Sequence, residues 1–501
     1  MLLAGCASSS KKDAPSSHVD EDVSPVISEY ISDYTPFMSK KLPVMKIDSD
    51  SGKNDFVTRP VDMDVSRAKM MWGGYKGEPE PWYENCSITV IDENDVISLD
   101  KAFAQVRVRG NWTSDYPKKG LRIKFDKKQE MLGLNGGVKM KDWILLASYK
   151  DFSFLRDATS YYMSHLISPY YTTDIRPIEL YINDTYWGVY LIAERQEIDK
   201  HRINLTKNPK DYTGNDIGYL LEIDDHAHKG ETGFNISFGS KLKDFEDKDV
   251  KTFTSKYTVK NDINSQSQLD FISNYMNNLW KLCYEAVYNK NYYTFNSDYT
   301  KLVPSNAKTC YECVSSVVDL ESLVTTYILH EIVCDPDFYL TSFYLDVDFG
   351  ENGNKKLTFE APWDFDSALG NKKFCLDSQG LYAAVNAFDV DHKEKGVGNP
   401  WFLIFINCNW FQDMVKQKWT QIHNQNVIGK LTEYMQFVST QYKTNFEKNY
   451  KIWDNCGNAQ RFGWELSSSS LACKNQKYAA EYLEYWLVKR FDALDELWLD
   501  N

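Results

Sequence analysis

The spacing of apolar residues changes period once along this chain, and that change limits the folds open to it. From residue 42 to residue 224 apolar residues fall mainly at every second position, in short runs such as 87–91, 106–108, 121–125, 143–148, 178–182, 187–193 and 218–223. A side-chain period of two belongs to strands with one buried face. Beyond Leu320 the spacing becomes helical, over 320–334, 401–421, 427–450 and 478–499. In the last of these Trp486, Phe491, Leu494 and Leu497 form one stripe, which reads as core-facing. Strands first and helices afterwards predict an α+β fold, β-rich over 41–224 and mainly helical over 311–501. Residues 225–310 are polar, with one helix near 269–288, and read as a variable insertion between the two parts.

Chemistry concentrates at residues 361–371, APWDFDSALGN, where Asp364 and Asp366 flank a phenylalanine directly after the apolar run 357–360. In an extended segment residues two apart face the same side, so both carboxylates can address one cation. Hard oxygen donors at a strand end suit Mg²⁺ or Mn²⁺ carrying phosphates. A turn in which Asp364 caps a helix accounts for the same residues. Upstream, Asp337 lies in CDPDFYLTSFYLDVD, ahead of an Asn352-Gly353 turn and the second apolar run. A loop aspartate, two short strands and a metal-binding aspartate is the order used for phosphoryl transfer by protein kinases. Those kinases carry an asparagine five residues after the loop aspartate; this chain has Ser342. It has neither an HRD tripeptide nor a GxGxxG loop, so an ordinary protein kinase is not supported.

A basic island spans residues 105–128, QVRVRGNWTSDYPKKGLRIKFDKK. Val106 and Val108 alternate with Arg107 and Arg109, and Leu121, Ile123 and Phe125 with Arg122 and Lys124. Two such strands, joined by a loop holding Gly110, Lys118 and Lys119, can cradle phosphate; a solvated strand face explains the charges equally. Residues 154–167 read as a helix with Ser153 as N-cap and Arg156 in its first turn. Two strand-end acids, Glu194 and Glu222, are candidates to pair with a phosphate-binding cation. The net charge of −14 argues against non-specific nucleic-acid binding.

Near the start, Leu3-Ala4-Gly5-Cys6 resembles the lipobox of bacterial lipoproteins, with only a stub of apolar sequence ahead of it. Residues 1–40 accordingly read as a signal remnant with a lipidated Cys6, followed by a flexible tether at the bacterial cell envelope. The ten cysteines show one CxxC, Cys310 and Cys313, and no zinc-finger spacing.

Six blocks taken together resemble the spore coat protein H (CotH) kinase family. They are VRVRGNW…PKKGLRIKF, ASYKDFSFLRDATSY, IELYINDTYWGVYLIAER, GYLLEID, DPDFYLTSFYLD and APWDFDSALGN, in that order over 106–371. The resemblance implies an atypical protein kinase-like two-lobe fold, with ATP and Mg²⁺ or Mn²⁺ as cofactors and protein Ser/Thr as the acceptor. It makes Asp337 the catalytic aspartate and Asp364 and Asp366 the metal ligands. Arg109, Lys118, Lys119 and Arg122 would then face the phosphates, with Glu194 and Glu222 orienting them. Ser342 in place of asparagine puts a second metal in question. Two other readings remain open: a surface adhesin binding glycan or protein on an inactive kinase-like scaffold, and a metal-dependent phosphohydrolase.

Overall fold

The structure, a computed structural model, describes residues 25–58, 83–110, 112–224, 231–238, 242–252, 256–373, 375–386 and 397–499. The fold is mixed α+β, with a β-rich N-terminal region and helices in the C-terminal part. The lipobox-like Leu3–Cys6 lies outside the described residues.

The period-two runs of the N-terminal region close on themselves. Strands β1 (Val44–Ser49), β2 (Glu84–Ile91), β3 (Ile97–Arg109), β4 (Gly120–Gln129) and β5 (Met140–Leu146) are followed by helix α1 (Arg156–Ile167). Then come β6 (Ile175–Ile182) and β7 (Thr185–Glu194). They form a closed barrel in the order β1-β2-β3-β4-β5-β7-β6. Alternation fills its interior with Val106, Val108, Leu121, Ile123, Trp143 and Leu145, while Arg107, Arg109 and Arg122 stand on the other face. The β6–β7 turn is the Asn183-Asp184 pair, both at positive φ, as a two-residue hairpin requires.

One barrel strand is buried on both faces. In β7, Tyr190 and Ile192 point into the barrel, whereas Val189, Leu191 and Ala193 join the large core of the C-terminal part. The contact is sealed by α6 (Lys443–Ile452), whose Asn449 side chain accepts the Val189 N–H at 3.0 Å. Gly188 makes that approach possible: its φ is 118°, and a Cβ there would stand 2.5 Å from the Asn449 oxygen.

Strand β8 (Gly218–Ile223), which the sequence groups with the N-terminal strands, pairs elsewhere. It lies between β11 (Phe343–Asp348) and β10 (Lys256–Val259) in a five-stranded sheet ordered β12-β11-β8-β10-β9, with β9 at Gly233–Asn235 and β12 at Thr358–Phe359. All six β8 residues are buried, so its partners had to come from a sheet covered on both faces. Around it pack α2 (Gln266–Tyr284), α3 (Leu320–Val333), α4 (Asn409–Asn424), α5 (Val427–Gln441) and α7 (Gln476–Trp498). Part of the span read as a tether, residues 25–40, instead lies along this body. Ile27 is buried, Lys418 Nζ donates to the Tyr30 carbonyl at 2.6 Å, and Tyr34 stacks on His165 with ring centroids 4.0 Å apart. Apolar residues at 27, 31 and 34 give this stretch something to bury despite its polar composition. Among the described residues no helix is long and apolar enough to cross a membrane.

His330 on α3 is sealed against Phe338, centroids 4.2 Å apart, and burial pushes its imidazolium down to about 3. An unfolded histidine titrates near ~6.5. As pH falls below that value the unfolded chain takes up a proton that the fold refuses, so stability falls by up to about 1.4 kcal/mol per pH unit until pH nears the folded value. Between pH 7 and pH 5 the thermal midpoint of His330→Gln should therefore shift less towards loss than that of the unaltered chain, whatever the substitution does to the absolute midpoint.

Candidate active site

The site is assembled on a buried ion pair between residues five apart. Asp151 Oδ1 accepts from Arg156 Nη1 at 2.5 Å, from the Ser153 N–H and from the Ser153 hydroxyl, while Oδ2 accepts the Arg156 N–H. The sequence made Ser153 the cap of α1; the carboxylate takes that place because it reaches the helix's first N–H directly, and Ser153 serves the Leu155 N–H. The guanidinium then reaches across to the carbonyls of Ala368, at 3.1 Å, and Leu369, at 3.5 Å. Next to it, Asp157 accepts the Phe365 N–H at 2.9 Å. The first turn of α1 thus grips the DFDSALG loop at three backbone points.

That loop is not an extended continuation of a strand. Strand β12 ends at Phe359, and Asp364 has φ of 68°, which breaks simple alternation. The buried anchors Trp363 and Phe365 set the loop's course, leaving Asp364 half-buried and Asp366 buried. Asp364 Oδ2 accepts from the Ser342 hydroxyl at 3.4 Å. Asp366 Oδ1 is 2.8 Å from Lys150 Nζ. Lys150 also donates to Ser367 Oγ at 2.6 Å and stands 3.5 Å from Glu465 Oε1. Burial works against the Lys150 charge, but Asp366 and Glu465 outweigh it and hold the ammonium protonated.

Asp337 joins the same network. Its carboxylate accepts the Ser367 hydroxyl at 2.6 Å and is gripped by Lys372 Nζ at 2.8 and 2.9 Å. Burial pushes this acid up, yet Lys372 and Lys150 prevail and keep it below the usual carboxylate range. Asp335, fully buried, accepts the Asp337 N–H through Oδ1, and Oδ2 has no partner among the described residues.

The remaining sequence candidates divide. Arg109, at the end of β3, lies over Trp363, 5.4 Å from guanidinium carbon to ring centroid, and so faces the loop. Glu222 also faces it: Oε1 accepts the Ser342 N–H at 3.2 Å, and Oε2 is 2.7 Å from Lys260 Nζ. Arg122 instead bonds Asp142 with Nε and Nη2, at 3.0 and 2.6 Å. Lys118 is buried between Phe154 and Tyr190 and donates to the carbonyls of Ala147, at 2.9 Å, and Val189. Lys119 donates to the carbonyls of Ser114 and Tyr116 at 2.6 and 2.7 Å, and burial lowers it to about 8. Glu194 pairs with Arg202 at 3.0 Å and accepts from Asn135. These four do not reach the loop, since the turn after β3 folds its lysines inward onto backbone. The reading from sequence missed Lys150, Lys260, Lys372 and Glu465. Lys150 lay within a quoted block, ASYKDFSF; the others carried no local signal.

The donor set fits a divalent cation held jointly with phosphate. Among the described residues no group of three or more His, Cys, Asp or Glu could hold a metal alone. Mg²⁺ commonly takes one or two carboxylates, with substrate phosphates and water completing its shell. Burial pushes Asp366 up, Lys150 pulls it back and the Asp364 charge adds to the rise, leaving it at about 7. Asp157 and Asp335 are raised too, by burial first and then by neighbouring carboxylates.

A family model described as CotH kinase protein matches residues 106–491. No curated protein matches the chain.

Removing the arginine of the Asp151–Arg156 pair strands a buried carboxylate, for which a loss of about 3–5 kcal/mol is expected. Urea unfolding of Arg156→Ala should show it, and Arg156→Lys should recover little, because one ammonium cannot span Asp151 and two carbonyls. A loss under about 1 kcal/mol, the range of an exposed pair, would show that the brace is not what holds the loop.

Proposed function

The chain belongs to the CotH kinase family, and from that membership we propose that it is an atypical protein kinase, moving the γ-phosphoryl group of ATP to Ser or Thr hydroxyls of a protein. The family suggests phosphotransferase activity in general; the nucleotide, the metal and the acceptor are this reading's own additions. The observation that carries it is convergence. Asp337 and Asp366 are joined with Lys150 and Lys372 through Ser367, and Asp364, two residues along the same loop, bonds Ser342, which Glu222 also holds, with Arg109 beside the loop. The barrel and the helical part then act as two lobes, with the site between β3, β8 and the loops after α3 and β12.

In this reading Asp364 and Asp366 hold Mg²⁺ or Mn²⁺, with Ser342 beside them. A bound cation supplies charge neutralisation for the triphosphate. Arg109 and the Glu222-paired Lys260 are the nearest cations to offer the phosphates, replacing Lys118 and Lys119 in that role. In the transfer the bond from the γ-phosphorus to the β,γ-bridging oxygen breaks, a bond to the acceptor oxygen forms, and the acceptor's hydroxyl proton passes to the Asp337 carboxylate and on to solvent. Asp337 orients the acceptor hydroxyl. Held ionised by Lys372, it takes that proton late, as the acceptor oxygen bonds to phosphorus. The lipobox-like Leu3–Cys6 supports an envelope-anchored or exported protein.

Transfer from labelled ATP, with Mg²⁺ and Mn²⁺ added singly, tests this directly. Asp337→Asn should keep nucleotide affinity within a few-fold while losing transfer by roughly 10²–10⁴. Asp364→Asn should weaken metal-dependent ATP binding as well as rate. Normal ATP binding by a wild-type chain that transfers nothing would instead favour an inactive binding scaffold.

A further inference from the structure

The fourth partner of the site comes from far along the chain. Residues 462–471 run beside the end of the DFDSALGN segment: the Ser467 N–H donates to the Asn371 carbonyl at 2.8 Å, and its hydroxyl to the Gly370 carbonyl at 2.9 Å. A bridge pairs Lys372 with Leu466. This contact delivers Glu465 into the interior, where its side chain is 3% exposed. Oε2 accepts the Tyr116 hydroxyl at 2.7 Å, and Oε1 faces Lys150 Nζ. A glutamate so buried persists only where a cation needs it.

Lys150 has two acids to satisfy with one charge. It lies closer to Asp366, at 2.8 Å, than to Glu465, at 3.5 Å. If Asp366 alone balanced the ammonium, its negative charge would be consumed internally and could attract a second cation only weakly. We propose that Glu465 is a positioning residue which shares the Lys150 charge and so leaves Asp366 able to take a divalent cation. The proposal rests on the reading of Asp364 and Asp366 as metal ligands. It extends the site to the C-terminal segment, and it gives the acid facing the site lysine to a residue that neither Glu194 nor Glu222 replaces. Glu194 is engaged by Arg202, and Glu222 by Lys260.

Glu465→Gln removes the charge but keeps an oxygen to accept the Tyr116 hydroxyl. With ATP present to complete the metal's shell, binding of Mn²⁺ to the full chain, followed by water proton relaxation enhancement, should weaken roughly tenfold, the effect of about 1.4 kcal/mol. Glu465→Asp, which retains the charge on a shorter arm, should lose less. A role confined to structure predicts the reverse pattern, a lowered thermal midpoint without metal and unchanged Mn²⁺ affinity. Should Glu465→Gln fail to fold, Glu465→Met, uncharged and of similar volume, tests the same point, because unchanged affinity there overturns the proposal. Asp366→Asn separates the two layers. Mn²⁺ binding unmoved by Asp366→Asn overturns the metal reading, and the role of Glu465 with it. Binding lost in Asp366→Asn but unmoved in Glu465→Gln overturns the role of Glu465 alone.

Discussion

The Asp151–Arg156 ion pair is the constraint on which the site depends. Both side chains are 1% exposed, so in that dry setting each charge must be fully answered by hydrogen bonds. Asp151 spends its oxygens on the start of α1, and Arg156 spends its remaining donors on the loop that follows β12. One pair therefore fixes a helix terminus and, through it, the course of the loop bearing Asp364 and Asp366. The Asp157 bond to the Phe365 N–H works alongside it, and all three grips are made to backbone. The loop's side chains are thereby left to make their own contacts, Asp366 with Lys150 and Asp364 with Ser342.

The same logic of buried charge recurs wherever distant segments meet. Arg490 on α7 binds Glu331 on α3 at 3.1 Å, with both side chains wholly buried, and donates as well to the carbonyls of Glu331, Ser378 and Gly380. Lys118 crosses from the barrel to the carbonyls of Ala147 and Val189. Such contacts add little net stability compared with apolar packing, but they are severe about geometry, because a displaced partner leaves an unanswered charge. Apolar burial supplies the cohesion: β7 contributes one face to each of two cores, and Trp401, Trp410, Trp419 and Trp486 are fully enclosed among the helices.

The expectations drawn from residues divide along a physical line. Strands and helices were legible, since amphipathic period is a local property: the alternations in β3 and β4, the Asn183-Asp184 hairpin and the long helix at Gln476–Trp498 stand where the spacing put them. Aspartates at DFD and in the CDPD loop stood out as candidates because few structural duties call for acids so closely spaced. Cations were not. Lys118 and Lys119 have the composition of a phosphate cradle, yet the turn between β3 and β4 folds their stems inward, where carbonyl oxygens take the ammonium groups. A lysine's destination depends on which acceptor its flexible stem meets, and no local pattern encodes that.

The sequence by itself determined the order of elements and the α+β character, and it put the candidate acids forward, because each is written in neighbouring residues. Tertiary structure alone decided which charges meet. Gly218–Ile223 reads like any N-terminal strand, but full burial required partners more than a hundred residues later in the chain, at Phe343–Asp348. That pairing brings Glu222 to Ser342. Likewise, Glu465 acquires meaning only when residues 462–471 lie against Gly370 and Asn371, placing a carboxylate beside a lysine some three hundred positions earlier. Ion pairs at such separation follow from packing, which fixes distance, and distance is what a linear sequence does not carry.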